Sequence, residues 1–377
     1  MKAVILAGGE GQRIRPLTFT KPKTMLYVGK DPLIHHLVAH LAKQGFNEII
    51  TTVGYLKEQI ISYLGNGRRY GVSITHVYEG TKSMGTAGSV KLAKDLLHEP
   101  FLVVQGDSVT NVDLVKFMNQ HKESGGMVSI GLKEVADPSL YGVAVLRSDG
   151  SINELIEKPK KAPSKLASTG IYVIEPSVLD EIPDGKPYDF ARDLFPAILS
   201  RTASAFGFLL DGFWIDAGEK DGYLQANRWY LANMSRSISA ESTIKGEVRG
   251  NVHVGKNVMI DSNSSVANPS VIDEGVRIER GARLGPDAVI IKNSKVGSGA
   301  RILSSIVYGE CEVQENALVE SSVIAEKCFI GEGAEIRGSM LGAGCRVEKG
   351  AKVVPDSVLY PKVVVKAGKV VKGIVRP

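Results

Sequence analysis

From Val254 onward, apolar residues return every six positions: Val254, Ile260, Val266, Ile272, Ile278, Leu284, Ile290, Val296 and Ile302. The series continues to Leu359, with five-residue steps at Ile302–Val307, Val319–Ile324 and Ile336–Leu341. An α-helix repeats every 3.6 residues and a half-buried strand every two, so neither explains a period of six. Hexads of this kind build a parallel β-helix, in which each supplies one short strand and three close a triangular coil. The fifth place of many hexads is small (Ala282, Ala288, Ala300, Ala317, Ala334, Ala351), and glycine often flanks the apolar position, as in Val296-Gly297 and Ile330-Gly331. Small residues let the chain turn tight corners, and thin coils need few bulky rings. The repeat thus accounts for 41 glycines in 377 residues and an aromatic content of only 6%.

The same frame places the cysteines. Cys311, Cys328 and Cys345 lie 17 residues apart, matching coils of 5+6+6 residues. They are therefore expected to stack about 4.8 Å apart, one strand spacing. A straight column is a poor metal cage, whose ligands must converge on one point. The expectation is a buried file of small apolar side chains.

Residues 1–232 follow a different rule. Short apolar runs (Ala3–Ala7, Ile49–Val53, Phe101–Val104) alternate with helix-period segments at Leu33–Gln44, Lys57–Leu64 and about Thr86–Leu97. That alternation implies βαβ units and an α/β, Rossmann-like domain with a mixed, mainly parallel sheet. Ligands in such sheets bind beyond the carboxyl ends of strands, near a switch in strand order. The expected division is an α/β domain over 1–232 and the β-helix over 244–377.

Composition excludes several classes. With 43% hydrophobic and 23% charged residues, disorder is not expected. Three cysteines cannot staple a secreted scaffold of this length. A net charge of +5 suits anionic small molecules and is too weak to argue for nucleic acid. The five apolar residues Ala3–Ala7 fall short of a secretory core, and no stretch approaches the ~18–20 residues of a membrane span. The expectation is a cytoplasmic protein with neither membrane nor nucleic-acid partners.

The first strand runs into Leu6-Ala7-Gly8-Gly9-Glu10-Gly11-Gln12-Arg13-Ile14-Arg15-Pro16-Leu17-Thr18. Glycines directly after a strand let backbone N–H groups approach phosphate oxygens, and Arg13 and Arg15 follow as anion ligands should. Neither GxGxxG nor the P-loop pattern fits. The segment resembles the signature of the sugar nucleotidyltransferases, L-A-G-G-x-G-x-R-L-x-P-L-T followed by P-K-P-M-L, here Lys21-Pro22-Lys23-Thr24-Met25-Leu26. Ile14, Thr24 and Tyr27 depart from that pattern. The resemblance continues in order through Met84-Gly85-Thr86-Ala87-Gly88, Val104-Gln105-Gly106-Asp107, Tyr141-Gly142-Val143, Glu157-Lys158-Pro159, Thr169-Gly170-Ile171-Tyr172 and Trp214-Ile215-Asp216-Ala217-Gly218. Ser168 stands where the family often has Asn.

The resemblance implies Mg²⁺-dependent transfer of a nucleotidyl group from an NTP to a sugar 1-phosphate, releasing pyrophosphate. It implies that Asp107 and Asp216 hold the metal and that Arg13, Lys23 and Lys158 act as catalytic cations. It places Leu6, Ala7, Gly8, Gly9, Gly11, Arg13, Glu79, Gly85 and Thr86 at the nucleotide. Gly142, Glu157, Lys158 and Thr169 would hold the sugar phosphate. The left hand of the β-helix also comes from the resemblance, since crossovers are otherwise right-handed. A carboxylate only accepts hydrogen bonds, and guanine offers donors at N1 and N2, so Glu79 suits guanine. With the segments Pro187–Pro196 and Tyr223–Asn227, this favours GTP and mannose 1-phosphate. Glucose-1-phosphate thymidylyl-, uridylyl- or adenylyltransfer is the alternative. A bifunctional acetyltransferase is weaker, because the sole histidine beyond His121 is His253. A catalytically silent regulatory homologue is also less favoured, since Arg13, Lys23, Asp107 and Asp216 are all present. The flat faces and open end of a β-helix predict a homo-oligomer.

Overall fold

The computed structural model describes residues 1–201 and 204–377. Contacts divide it into two compact units that do not follow a single cut in the chain. One contains Met1–Glu10 and Leu33–Asp216; the other contains Gly11–Pro32 and Ala217–Pro377.

The strands of the first unit, taken in chain order around a short hairpin of the second, are β1 (Lys2–Ala7), then β2 (Tyr27–Val28) and β3 (Asp31–Pro32) of that hairpin, then β4 (Glu48–Val53), β5 (Ser73–Tyr78), β6 (Phe101–Gln105), β7 (Ser108–Thr110), β8 (Val128–Glu134), β9 (Gly142–Leu146), β10 (Ile152–Glu157), β11 (Leu166–Ile174), β12 (Ala205–Leu209) and β13 (Trp214–Asp216). A nine-stranded sheet runs β10-β9-β11-β6-β1-β4-β5, with β8 between β11 and β12. The pairs β1–β4, β1–β6 and β4–β5 are parallel, and β11 is antiparallel to β6, β8 and β9. The chain adds β4 and β5 on one side of β1 and β6 on the other. The order therefore switches at β1, whose carboxyl end is the Gly-rich loop. The helices α1 (Leu33–Lys43), α2 (Lys57–Leu64) and α3 (Gly85–Lys91) lie in the three segments expected to be helical. The third is shorter than the sequence reading, ending at Lys91 before a 3₁₀ turn at Lys94–Leu96. Val4, Val103, Ile130 and Phe101 are fully buried in the apolar core on this sheet.

The second unit is built on three stacked parallel sheets of nine, eight and eight short strands, consistent with a left-handed β-helix. Coil length can be read from the strand register. Ser270 pairs with Ala288, an 18-residue coil; Ile306 pairs with Val323, a 17-residue coil; Leu341 pairs with Leu359, again 18. The five-residue steps in the apolar series thus mark where coils shorten. The apolar positions, from Val254 to Leu359, fill a single core inside the coil.

Cys311, Cys328 and Cys345 stack in that core as free, buried thiols. Their Sγ–H groups donate to the carbonyls of Ala325 (3.1 Å), Gly342 (3.2 Å) and Tyr360 (3.1 Å). A second buried column, Ser305, Ser322 and Ser339, keeps the same 17-residue interval. The Ser305 and Ser322 hydroxyls each accept the N–H of the next serine at 3.1 Å. Among the described residues, no helix is long and apolar enough to cross a membrane.

Candidate active site

In the first unit, Gly8, Gly54, Glu79 and Gly106 meet at the carboxyl end of β1. The Gly8 carbonyl accepts the N–H of Tyr55 (3.1 Å), and the Leu6 carbonyl accepts that of Gly106 (2.9 Å). The Glu79 carboxyl packs directly on Gly8: an added Cβ would lie 2.0 Å from Glu79 Oε1, so any side chain there would displace that carboxyl. Gly54 closes on the same point, since its Cβ would lie 2.9 Å from the Gly8 carbonyl oxygen. The Glu79 carboxyl is half-buried, and desolvation raises its pKa; the hydroxyls of Ser89 and Thr52 and the backbone of Met84 act in the opposite sense.

The Met84–Gly88 turn and the Pro187–Phe190 segment, separate in sequence, form one structure. Tyr188 donates its N–H to Met84 and accepts those of Ala87 and Gly88. The Thr86 hydroxyl donates to Asp189 Oδ2 at 2.8 Å and accepts the N–H of Phe190 at 2.9 Å. Gly85 has φ +71°, and a Cβ there would meet the Tyr188 carbonyl at 2.6 Å. Thr86 therefore shapes the turn with its hydroxyl, while the backbone of Met84, Ala87 and Gly88 is tied to Tyr188.

The two aspartates come together through strand pairing. Antiparallel β7 and β13 set Asp216 opposite Ser108, the residue after Asp107. Both carboxylates are partly exposed. Among the described residues, no group of three or more His, Cys, Asp or Glu side chains could hold a metal. Two hard oxygen donors with room for outside oxygens fit Mg²⁺, which keeps waters and takes substrate phosphates, better than a metal needing a full protein cage.

Glu157 ends β10, and Lys158 follows it. Gly142 pairs with Glu157, and a Cβ on Gly142 would lie 3.2 Å from Glu157 Oε2. Lys158 Nζ sits 3.8 Å from Glu157, and its N–H donates to Tyr141 at 3.0 Å. Lys158 has φ +47°, a strained setting for a side chain that precedes proline. Thr169 is buried, and its hydroxyl donates to the Gly131 carbonyl (2.7 Å), so its side chain supports the strand from within.

Within the second unit, Gly11 turns at φ +64° and packs on Thr18 and Lys23; the Thr18 hydroxyl donates to the Gly11 carbonyl at 2.8 Å. Lys23 is buried to 9% exposure, unusual for lysine. Arg13 Nη1 lies 3.0 Å from Glu219 Oε1. Sequence reasoning passed over Glu219, although it closes the motif begun at Trp214, and passed over Gly54, although it follows a buried strand as Gly8 does. His253, at the entrance to the coil, sits 3.1 Å from the Ser237 hydroxyl; burial lowers its pKa.

Residues 2–233 match the model of the nucleotidyl transferase family. The chain belongs to that family. Residues 266–375 match a second model, the GMPPB C-terminal domain. Among curated members, the UTP–glucose-1-phosphate uridylyltransferase of Synechocystis sp. is 34% identical over 342 residues, 82% of this chain and 87% of its own. Mannose-1-phosphate guanylyltransferase 1 of Arabidopsis thaliana is 32% identical over 332 residues, 82% of this chain and 91% of its own. A solved structure, HddC from Yersinia pseudotuberculosis complexed with GMP-PN, superposes with a TM-score of 0.54 at 25% identity, covering 61% of this chain and 99% of that one.

Proposed function

We propose that the protein is a Mg²⁺-dependent mannose-1-phosphate guanylyltransferase, converting GTP and mannose 1-phosphate to GDP-mannose and pyrophosphate. The observation that carries the choice of base is the Glu79 carboxylate, lodged against Gly8 beside the Met84–Gly88 turn. From there it can accept from guanine N1–H and N2–H, and thymine or uracil offers only one such donor. The match to the GMPPB C-terminal domain supports the same branch.

On this reading a sugar-phosphate oxygen attacks the α-phosphorus in line, and pyrophosphate leaves. Both partners are anions, so the chain's task is charge neutralisation and alignment. Leu6, Ala7, Gly8, Gly9 and Gly11 line the phosphates with backbone, and Gly85 and Thr86 contribute the backbone of the base-facing turn. Arg13 exchanges Glu219 for the triphosphate and steadies the departing pyrophosphate. Lys23 neutralises the α-phosphate. Lys158 clamps the sugar phosphate beside Gly142 and the Thr169 strand, and Glu157 accepts from sugar hydroxyls. Asp107 and Asp216 would hold Mg²⁺, which when bound screens the phosphate charge and draws electron density from the α-phosphorus. No general base is needed, because the attacking phosphate is already ionised near neutral pH.

The β-helix also provides for assembly. Val364, Val370 and Ile374, on its last coils, are 48%, 63% and 65% exposed, and self-association would cover them. A monomer in light scattering at micromolar concentration rejects the oligomer.

The deciding experiment crosses GTP, ATP, UTP, dTTP and CTP with mannose 1-phosphate and glucose 1-phosphate, following pyrophosphate release. GTP with mannose 1-phosphate should give the highest kcat/KM. Preference for dTTP or UTP with glucose 1-phosphate would move the chain to the other branch. No release from any pair would remove the enzymatic reading.

A further inference from the structure

We infer that the β-helix positions the catalytic lysine, through a closed ring of hydrogen bonds in which Tyr308 and Tyr223 grip the backbone of Tyr27. This inference rests on the reading of Lys23 as the residue facing the α-phosphate. The ring begins and ends on one residue. Tyr27 N–H donates to Tyr308 Oη at 3.3 Å. Tyr308 and Tyr223 hydroxyl oxygens are 2.9 Å apart. Tyr223 Oη–H donates to the Tyr27 carbonyl. Only one direction satisfies all three contacts: Tyr308 donates to Tyr223, and Tyr223 donates to Tyr27. Asn227 adds two more holds, donating Nδ2–H to the Tyr27 carbonyl (3.2 Å) and accepting the Gly29 N–H at Oδ1 (2.9 Å).

The anchors are rigid. Tyr308 follows the strand Ile306–Val307; its N–H donates to the Ile324 carbonyl one coil on (2.8 Å), and its carbonyl accepts from Ser294 Oγ (2.9 Å). Tyr223 and Asn227 stand one turn apart on the helix Lys220–Asn233, whose Lys220 Nζ donates to the Gly338 carbonyl of the coil at 2.8 Å. Both tyrosine hydroxyls are fully buried, and that burial raises their pKa, so the ring stays protonated across the working pH range. The rings of Tyr27 and Tyr308 meet edge to face, with centroids 5.2 Å apart.

The link from Tyr27 to Lys23 is short and ordered. Lys23–Met25 is one 3₁₀ turn, with Met25 N–H on the Pro22 carbonyl (2.9 Å) and Leu26 N–H on the Lys23 carbonyl (3.1 Å). Fixing Tyr27 therefore fixes the turn that carries Lys23, at the exit of a loop otherwise closed on Gly11 and Thr18. Where a charge must meet one phosphorus, small displacements cost heavily. Tyr308 and Tyr223 are thus positioning residues.

The test is a mutant cycle on the full chain. Tyr308→Phe removes the acceptor for the Tyr27 N–H and keeps the ring; Tyr223→Phe removes the donor to its carbonyl. Each should lower kcat about tenfold, with KM for nucleotide changed less than about twofold. In a Lys23→Met background, the same changes should cost less than about twofold, because a misplaced lysine and an absent one are equivalent. Native-state amide exchange should lose protection at Tyr27 and Leu26 in both tyrosine variants. Equal losses in both backgrounds, unchanged kcat, or unchanged protection would each overturn the inference. If the wild-type chain transfers no nucleotide, the proposed function fails, and exchange alone then decides whether the ring holds the loop.

Discussion

Left-handed backbone means different things in the two units. In the coil it is periodic. Gly275, Asn293, Glu310, Lys327, Gly344 and Lys362 all have positive φ and stand 17 or 18 residues apart, one corner repeated. Ser304 and Ser321 make another such pair. In the α/β unit, the non-glycine residues with positive φ among those described are Leu56 and Lys158. Neither repeats. Leu56 follows Gly54-Tyr55, the segment that touches Gly8, and Lys158 is the first residue beyond the strand that ends at Glu157. A left-handed non-glycine residue costs roughly 1–2 kcal/mol. The coil spreads that cost over a lattice that requires it at every corner. The sheet concentrates it next to the residues assigned to substrate. Recurrence separates architecture from function.

The largest expected break is at the aspartates. Asp107→Ala or Asp216→Ala should lower nucleotidyl transfer by about a thousandfold or more, with Tm changed by less than about 2 °C. Residual rates above a tenth of wild type in either variant would remove them as metal ligands. Lys158 comes next. Lys158→Ala and Lys158→Gly should both lose about a hundredfold in kcat/KM for the sugar phosphate, yet the glycine variant should be the more stable of the two by ~1 kcal/mol. Denaturant titration of both reads the strain, and equal stabilities would show that none is stored there. In the coil, Glu310→Val should reverse the pattern, costing ~1 kcal/mol of stability with kcat unchanged.

The same contrast explains what could be read from the chain. The coil strands from Val254 to Leu359 were legible because a hexad is local and its repeats reinforce one another, and even the shortened coils showed as five-residue steps. The end coils, with strands at Ser237–Ile238, Thr243–Ile244 and Glu247–Val248 and at Val364–Val365, Val370–Val371 and Ile374–Val375, lay outside that series. The serine column escaped notice, although it keeps the cysteine interval, because serine carries no apolar signal. In the α/β unit, strands buried on both faces and amphipathic helices were legible, and the motifs were legible in order. Their junctions were not. That Met84–Gly88 and Pro187–Phe190 form one turn depends on backbone bonds across about a hundred residues. That Gly11–Pro32 packs with the coil depends on Tyr308, which in sequence is only the residue after a hexad valine. Periodicity reveals what a segment does with its neighbours and is silent about partners that occur once.

The smallest effect separates two glutamates, one from each unit. Glu79 is held above its ordinary pKa, chiefly by burial. In the folded state it therefore keeps a proton that the unfolded chain has already lost, over a window just above the ordinary glutamate range, roughly pH 4.3. Native stability attributable to Glu79 is greatest below that range and declines as pH rises through its raised pKa. Glu335, on the coil face, is held below its ordinary pKa, first by its hydrogen bond to Lys352 (2.8 Å) and further by Arg337 (3.4 Å). Its contribution is present above the ordinary range and lost as pH falls through its lowered pKa. Measured as stability relative to wild type between about pH 3 and 7, Glu79→Gln should become progressively more favourable with rising pH, and Glu335→Gln progressively less so. Parallel curves would dissolve the distinction. Opposite slopes would place the cost of an ionised side chain at the half-buried Glu79 carboxylate lodged against Gly8, and the gain at the Glu335 carboxylate, which pairs with Lys352 one rung away.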